Sequence, residues 1–337
     1  MAKYVKKKKS RDPSYKVARR NRRGPEPATT TLTYEMPVGT SRYIDLFADL
    51  SKVNRKLIKQ GHLAFVQGIT VTDDIGVTSA LDFQVRCAGN NRITHNAWTK
   101  GHALWNEMNK EVLESNPSVQ GKWADFKVLL TENQASANTL SALNGGAGAW
   151  PNPTAPDDGE WVYSRFVVPQ HDVDPATGAV LPAEEWTASL VGPDDVANKR
   201  FSLVKAYEES RATVQDVAPN VPVALPQSFY LKLQDDGSQD PELATVIEDS
   251  NDMPPYPNTP GTYPGGDDFG TFAGSLVSVA RGVKNDFTPT LHIPGFLAPC
   301  GLLYITANRS DGTQNCRVQI HLASGPARGV MALPMGQ

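Results

Sequence analysis

The residues best suited to bind a charged partner lie together at the start of the chain. Residues 1–23 contain eleven lysines and arginines but only one acidic residue, Asp12. This segment carries a formal charge of +10, and because the whole chain carries −3, the remainder carries −13. Such a dense run of cations neutralises phosphate groups and displaces the counterions around a nucleic acid. The cations are Lys3, Lys6, Lys7, Lys8, Lys9, Arg11, Lys16, Arg19, Arg20, Arg22 and Arg23.

Two tyrosines and the grouping of the cations add to this interpretation. Tyr4 and Tyr15 lie among the cations and can stack on exposed bases. The clusters at 6–9 and 19–23 also have the spacing of a two-part nuclear localisation signal. A segment with so few apolar side chains cannot offset the entropy of ordering it. We therefore predict a disordered basic arm over residues 1–27; a solvated charge run that only improves solubility is the alternative.

The rest of the chain lacks the patterns of known enzyme sites. The glycines of residues 145–148 are not followed by the Lys-Ser/Thr pair of a phosphate-binding loop. The six histidines show no HExxH-type spacing, and there is no GxSxG motif. His171 and Asp172, with Asp174, could hold a cation, but a hydrated loop is the simpler interpretation. We predict no enzymatic activity, no catalytic residues and no cofactor.

The cysteines and the hydropathy of the chain indicate the kind of cellular compartment in which the protein is made. The three cysteines, Cys87, Cys300 and Cys316, are odd in number and lack metal-like spacing, which favours free thiols and a reducing environment. No apolar run follows the basic start, so we expect no secretory signal. The longest apolar stretch, near residues 295–305, is short and contains Pro299, so we predict no membrane span.

Alternation of apolar and polar side chains predicts that β-strands position these groups. Period-two patterns, typical of half-buried strands, occur at 79–87, 229–233 and 316–322. Further candidate strands are 62–72, 160–168, 199–206 and 301–308. About eight strands without an internal repeat favour an all-β fold, a single eight-stranded jelly roll, over a propeller.

Two short helices are predicted within this β-rich body. Residues 44–60 have helical spacing of apolar side chains, with Asp45 as N-cap and Gly61 as C-terminal stop. Residues 94–114 form the second, with Thr94 as a possible cap. One stripe of this helix is apolar, which predicts packing in a core rather than a cofactor site. The stripe contains Trp98, Trp105, Met108 and Val112.

Two long surface loops are expected, at about residues 133–160 and 235–270. Residues 235–268 hold nine acidic residues and six prolines, with no lysine or arginine. The opposite charges of this loop and the arm suggest a basic inner and an acidic outer surface. An ordinary acidic loop on a monomer is the alternative.

Four segments, in this order along the chain, resemble segments of the capsid proteins of circular Rep-encoding single-stranded DNA (CRESS-DNA) viruses. The first contains YIDLFADLSKVNRKLIKQG, which is similar to the family's "YIDL…LS.VNRR.YRQG" pattern, with Lys56 in place of the second arginine. The inserts between the segments, such as 135–160, align to nothing in the family. The four segments are 43–69, 95–130, 251–266 and 293–305.

This resemblance implies a structural capsid protein with a jelly-roll shell domain over residues 28–337. Such a protein self-assembles into an icosahedral shell of about sixty copies or a multiple, and its basic arm packages circular single-stranded DNA. The implied partners are the genome, host nuclear import receptors and a host receptor of unknown identity, with no membrane. The implied locations are the virion and, during assembly, the host nucleus.

Calcium at subunit junctions is one further expectation. Aspartate pairs recur, and Ca²⁺ accepts several carboxylates at flexible geometry. A turn is the alternative, because aspartate hydrogen-bonds locally there. The pairs lie at 73–74, 157–158, 194–195, 235–236 and 267–268.

Three alternatives to a DNA-packaging capsid stay open at this point. A capsid of a small single-stranded RNA virus would need the same basic arm, because both phosphate backbones look alike to a disordered polycation. A cellular nucleic-acid-binding protein with a basic arm would be monomeric or dimeric. A jelly-roll enzyme or lectin would need a polar pocket that the sequence does not indicate.

Overall fold

The structure, a computed structural model, is mostly β-strand with few helices. The strands form curled sheets that are largely antiparallel, so the prediction of an all-β fold is confirmed at this level. The basic arm (1–27), the strand predicted at 229–233 and the acidic loop at 235–270 lie outside the described residues. The described residues are 28–73, 79–115, 125–134, 138–144, 148–150, 161–168, 184–209, 276–285, 287–309 and 315–336.

Fifteen strands and three helices are numbered here in chain order within the described residues. The strands are β1 (Thr31–Met36), β2 (Thr40–Asp45), β3 (His62–Asp73), β4 (Leu81–Cys87), β5 (Thr139–Leu140), β6 (Arg165–Val168), β7 (Glu184–Ser189), β8 (Arg200–Ser202), β9 (Val277–Lys284), β10 (Thr290–Pro299), β11 (Leu302–Arg309), β12 (Cys316–Leu322), β13 (Ser324–Gly325), β14 (Gly329–Val330) and β15 (Ala332–Pro334). The helices are α1 (Leu46–Asn54), α2 (Arg92–Ser115) and α3 (Leu203–Glu209).

Two five-stranded sheets contain all the described strands of six or more residues except β7. Sheet A has the order β1-β12-β3-β10, with β15 also paired to β3, and every pair is antiparallel. Sheet B has the order β5-β2-β11-β4-β9 and is antiparallel except for the short β5–β2 pair. Smaller sheets join β6-β7-β8 and β13-β14.

The main hydrophobic core lies between sheets A and B. Alternate side chains of β1, such as Leu32 and Tyr34, point into one cluster with Phe83 of β4 and Ile305 of β11. Because this cluster draws on both sheets, their inner faces pack against each other, as in a β-sandwich. Each fully buried aliphatic or aromatic side chain contributes about 1.5–3 kcal/mol.

A second core covers one end of the outer face of sheet B. Tyr43 and Tyr304, on neighbouring strands of this sheet, have ring centroids 4.9 Å apart. They belong to a cluster with α2, α3 and the three-stranded sheet, where Trp98 packs 5.8 Å from Phe126. The prediction that the tryptophan stripe of α2 packs in a core is confirmed for Trp98, with Trp105 and Met108 beside it, whereas Val112 is not described.

Helix α1 confirms one predicted boundary and corrects the other. The Asp45 side chain accepts a hydrogen bond from the backbone of Ala48 at 3.0 Å, so Asp45 is the N-cap. The helix ends at Asn54, because Arg55 adopts a left-handed conformation with φ 53°. Gly61 is therefore not the stop; its missing side chain instead leaves room for Trp98, whose ring would lie 2.7 Å from a Cβ there.

The prediction of two short helices is wrong in length and number. Helix α2 has 24 residues, and the side chain of Asn91, rather than Thr94, accepts the hydrogen bond of its first turn. The strand predicted at 199–206 continues only to Ser202 before α3 begins. Phe201 and Leu203 alternate as in a strand, but Val204 and Tyr207 are also buried, which fits one face of a helix.

Most of the predicted strands are confirmed, and several strands were not predicted. Strands β3, β4, β11 and β12 match predictions within two residues, whereas β6 is shorter than predicted. The unpredicted long strands are β1, β2, β7, β9 and β10. None of the described helices is long and apolar enough to span a membrane.

Candidate nucleic-acid interface

The structure describes the root of the arm but not its predicted contact residues. All eleven cations and both Tyr4 and Tyr15 lie within residues 1–27, outside the described part. The chain enters the fold at Ala28 and runs directly into β1, an edge strand of sheet A.

Three hydrogen bonds to the backbone of Thr29 and Thr30 fix residues 28–30, the root of the arm. Thr29 donates its N–H to Asn54 Oδ1 at 2.7 Å and accepts a bond from Asn54 Nδ2 at 3.0 Å. The carbonyl of Thr30 accepts a hydrogen bond from the backbone of Leu322 at 2.9 Å. These contacts join residues 29 and 30, which precede β1, to the end of α1 and to β12.

The outer face of sheet A is polar along β1, β12 and the middle of β3. Across the sheet, His321 of β12 is the register partner of both Thr31 of β1 and Gly68 of β3. Two residues further along β3, Thr70 is the register partner of His292 of β10. The residues are exposed or half-buried, so their polar atoms can meet an external ligand.

Two histidines are linked through threonine hydroxyls on this face. Thr31 Oγ1 lies 3.2 Å from His321 Nδ1, and Thr70 Oγ1 lies 3.3 Å from His321 Nε2. The same Thr70 hydroxyl lies 3.2 Å from Nδ1 of His292. We call the chain Thr31–His321–Thr70–His292 the histidine–threonine row.

A shallow cavity of about 390 Å³ opens over this row. Its walls include the four residues of the row together with Thr30, at the root of the arm, and Gln67. Hydroxyl, imidazole and amide groups can all donate hydrogen bonds to an anion. The cavity therefore has the chemistry of a polar ligand site, which the sequence did not indicate.

The buried carboxyl groups of Asp45 and Asp49 accept hydrogen bonds from other groups of the protein. Asp45 Oδ2 accepts hydrogen bonds from Gln60 Nε2 at 2.9 Å and Trp161 Nε1 at 3.2 Å. Burial raises the pKa of Asp45 to about 6; the hydrogen bond from Ala48 opposes this rise, and the charge of Asp49 adds to it. Asp49, whose pKa burial also raises, accepts a bond from Tyr34 OH at 2.9 Å.

Of the aspartate pairs predicted to bind calcium, the structure describes Asp194–Asp195 in full and the pair at 73–74 only at Asp73. The side chain of Asp73 is buried and forms ion pairs with Lys284, at 2.6 Å, and with Arg309. Asp194 pairs with Lys205 at 3.1 Å, and Asp195 accepts a bond from the backbone of Asn198 at 3.1 Å, as in a turn. Within the described ranges no three His, Cys, Asp or Glu side chains are grouped to hold a metal ion.

The prediction of free thiols is confirmed. Cys87, Cys300 and Cys316 are free and buried. Burial raises the pKa of each thiol, to about 12 for Cys87 and Cys316. A protonated, buried thiol is a poor nucleophile and a poor metal ligand.

Sequence reasoning located only part of this interface. The alternation of 316–322 correctly predicted that His321 faces away from the core, with Arg317 and Gln319. His292 was missed because Pro294 and Gly295 interrupt the alternation of β10. The pairing of β3 with both β10 and β12, which brings the two histidines to Thr70, has no local signal.

Comparison with known proteins gives no further identification. No protein-family model, curated protein or solved structure matches the chain.

Proposed function

We propose that the chain is a structural capsid protein that self-assembles into a small icosahedral shell and packages circular single-stranded DNA through its basic arm. The observation that carries the proposal is a +10 segment attached to the edge of a two-sheet β body whose net charge has the opposite sign. A polycation attached to one edge of an acidic body is the charge distribution expected of a shell subunit, because such a subunit holds a polyanion on only one side of the shell.

The order of the long strands supports a single jelly roll as the finer fold. The strands of sheet A, in the order β1-β12-β3-β10, face those of sheet B, in the order β2-β11-β4-β9. The chain crosses from one sheet to the other at six connections: β1–β2, β2–β3, β3–β4, β9–β10, β10–β11 and β11–β12. The first and last long strands, β1 and β12, are neighbours. Two interlocked Greek keys of this kind define the jelly roll, a fold used by viral capsids and by lectins.

The charge of the arms is compatible with a small genome. About sixty copies, each with ten net positive charges, would bring roughly 600 charges to the interior of the shell. A genome of about one to a few thousand nucleotides exceeds this charge, and small cations would neutralise the remainder. Nuclear import of the subunits and assembly in the host nucleus are part of the same proposal, since the two basic clusters also fit a nuclear localisation signal.

Electron microscopy of the purified full-length protein, with the 260/280 nm absorbance ratio of the same fraction, tests the proposal. We expect uniform round particles whose content is digested by DNase after disruption. RNase-sensitive content would favour the RNA-virus capsid, and small soluble species at every salt and protein concentration would favour the cellular binding protein.

A variant with all eleven arm cations replaced by glutamine provides the matched comparison, because it keeps the length of the arm. This variant should still form shells, of the same size or smaller, but these shells should be empty. Filled shells from the glutamine variant would refute the role of the arm.

A further inference from the structure

We infer that the histidine–threonine row is an ordered phosphate-binding site that takes a phosphate group of the packaged nucleic acid. That the phosphate group belongs to a packaged nucleic acid rests on the proposed function, whereas the anion site itself rests on the geometry of sheet A. The site would add fixed contacts to the sequence-independent contacts of the arm.

The hydrogen-bond inventory of the row favours an anion. Thr70 Oγ1 lies between His321 Nε2 and His292 Nδ1, at 3.3 and 3.2 Å. When both imidazoles are protonated, all four of their nitrogens are donors and the hydroxyl accepts from two of them. The hydrogen of Thr70 is then free to donate outward, as is the hydrogen of Thr31, which accepts from His321 Nδ1.

The same inventory disfavours a metal ion. Three of the four imidazole nitrogens are held by hydroxyls, which leaves only Nε2 of His292 without a recorded contact in the described structure. The lining of the cavity includes no carboxylate and no thiol. A single available nitrogen cannot supply the three or four ligands of a typical protein metal site.

Within the described structure, few other charges face the row. Strand β1 contributes Glu35 and β12 contributes Arg317, which are register partners four residues along β12 from His321. Glu35 accepts a hydrogen bond from Asn315 Nδ2 at 2.8 Å. Strand β10 contributes only His292, and the side chain of Asp73, the acid of β3, is buried in ion pairs with Lys284 and Arg309. The ionisable side chains that line the cavity are therefore those of the two histidines.

The position of the row links it to the arm. Thr30 lines the cavity and is three residues from the end of the predicted arm. Because an extended residue spans at most about 3.6 Å, Arg23 can lie no more than about 25 Å from Thr30. A strand of nucleic acid held by the arm therefore passes within reach of the row.

The test is the salt dependence of binding of a fluorescein-labelled ten-nucleotide oligothymidylate to the full-length protein, at pH 6 and pH 8. For a single strand, each lost phosphate contact lowers the slope of log K against log salt by about 0.7, which is about fivefold in affinity at 0.1 M salt. H292Q/H321Q should show this loss at pH 6. The glutamine arm variant should lose slope at both pH values, and T70V tests the shared hydroxyl without removing a charge.

His62→Gln is the matched control. His62 lies on the same sheet, at the start of β3, eight residues before Thr70 and hence about 26 Å along the strand. Its Nδ1 contacts the carbonyl of Lys59 at 3.1 Å. This variant should bind the oligonucleotide as the wild type does at both pH values.

Protection from diethyl pyrocarbonate gives a second measurement on the wild type. His292 should be carbethoxylated more slowly when the oligonucleotide is bound, with His62 unchanged, as read by mass spectrometry. Protection by 10 mM inorganic phosphate (about the concentration needed for a weak site) but not by the oligonucleotide would overturn the assignment to nucleic acid and leave a free-phosphate site. If H292Q/H321Q and the wild type have equal slopes and the oligonucleotide does not protect His292, while particles and arm-dependent binding remain intact, the site alone is refuted. Loss of particles and of arm-dependent binding would instead refute the proposed function.

Discussion

Replacing Asp45 by asparagine should change how the stability of the protein depends on pH. Asp45 is buried at the N-terminus of α1 and has three further donors near its second oxygen: Gln60, Trp161 and Tyr163. Asparagine keeps an oxygen for the helix cap but cannot ionise. The comparison therefore isolates the titration of one buried carboxyl group.

The expected magnitude follows from the shift of the Asp45 pKa from 3.8 to about 6 on folding. Between these values the unfolded chain has lost the proton while the folded chain retains it, so the free energy of unfolding falls as pH rises. A shift of about 2 units corresponds to about 3 kcal/mol in total, of which about 2 kcal/mol is lost between pH 4 and pH 7. Asp45→Asn should not show this loss.

Urea denaturation at several pH values, followed by tryptophan fluorescence at one protein concentration, measures the effect. The free energy of unfolding of the wild type minus that of Asp45→Asn should fall by about 2 kcal/mol between pH 4 and pH 7. Asp82→Asn is a control, because the hydrogen bond from Arg281 lowers the pKa of Asp82, so its stabilisation is lost only as the pH falls below the ordinary range of an aspartate and should be nearly constant between pH 4 and pH 7. A difference for Asp45→Asn that is constant with pH would refute the reasoning.

Three further predictions concern the body of the protein. Asp73→Asn removes the carboxylate shared by Lys284 and Arg309 and should lower the free energy of unfolding in urea by about 3–5 kcal/mol, with Lys284→Met clearly milder; equal losses would contradict this. Gly301→Ala should lower the melting temperature more than Gly39→Ala, because both have positive φ but only at Gly301 would a Cβ meet another side chain, at 2.6 Å. The three buried thiols should react with Ellman's reagent only as the protein unfolds, so fast labelling of the native protein would refute their burial.

Local patterns in the sequence predicted the strands with one face in the core. β4 and β12 alternate strictly between buried and less buried side chains, and both were predicted from that alternation. β10 and β9 were missed because their burial does not alternate regularly. The N-cap at Asp45 was predicted because its hydrogen bond to Ala48 is local, three residues along the chain.

Contacts between distant parts of the chain could not be predicted in this way. The two histidines of the row are joined through Thr70, which is 222 residues from His292 and 251 from His321. The second core, which covers one end of sheet B, depends on the packing of β6 and α3 against α2, from which they are about 50 and 90 residues away along the chain. The acidic pair at 73–74 looked like a turn or a cation site, because its buried partners Lys284 and Arg309 lie more than 200 residues away.

The outer faces of the two sheets differ in what covers them and in their place relative to the predicted arm. One end of the outer face of sheet B, at Tyr43 and Tyr304, is packed against α2, α3 and the three-stranded sheet, whereas its other end carries the exposed ion pair of Asp82 and Arg281. The outer face of sheet A carries polar side chains, and β1 at its edge serves three purposes. Leu32 and Tyr34 anchor this strand in the core, Thr31 joins the histidine–threonine row, and the arm extends from its start. The predicted arm therefore joins the fold at the strand that carries Thr31, so a polyanion bound by the arm, as we propose, would lie close to sheet A.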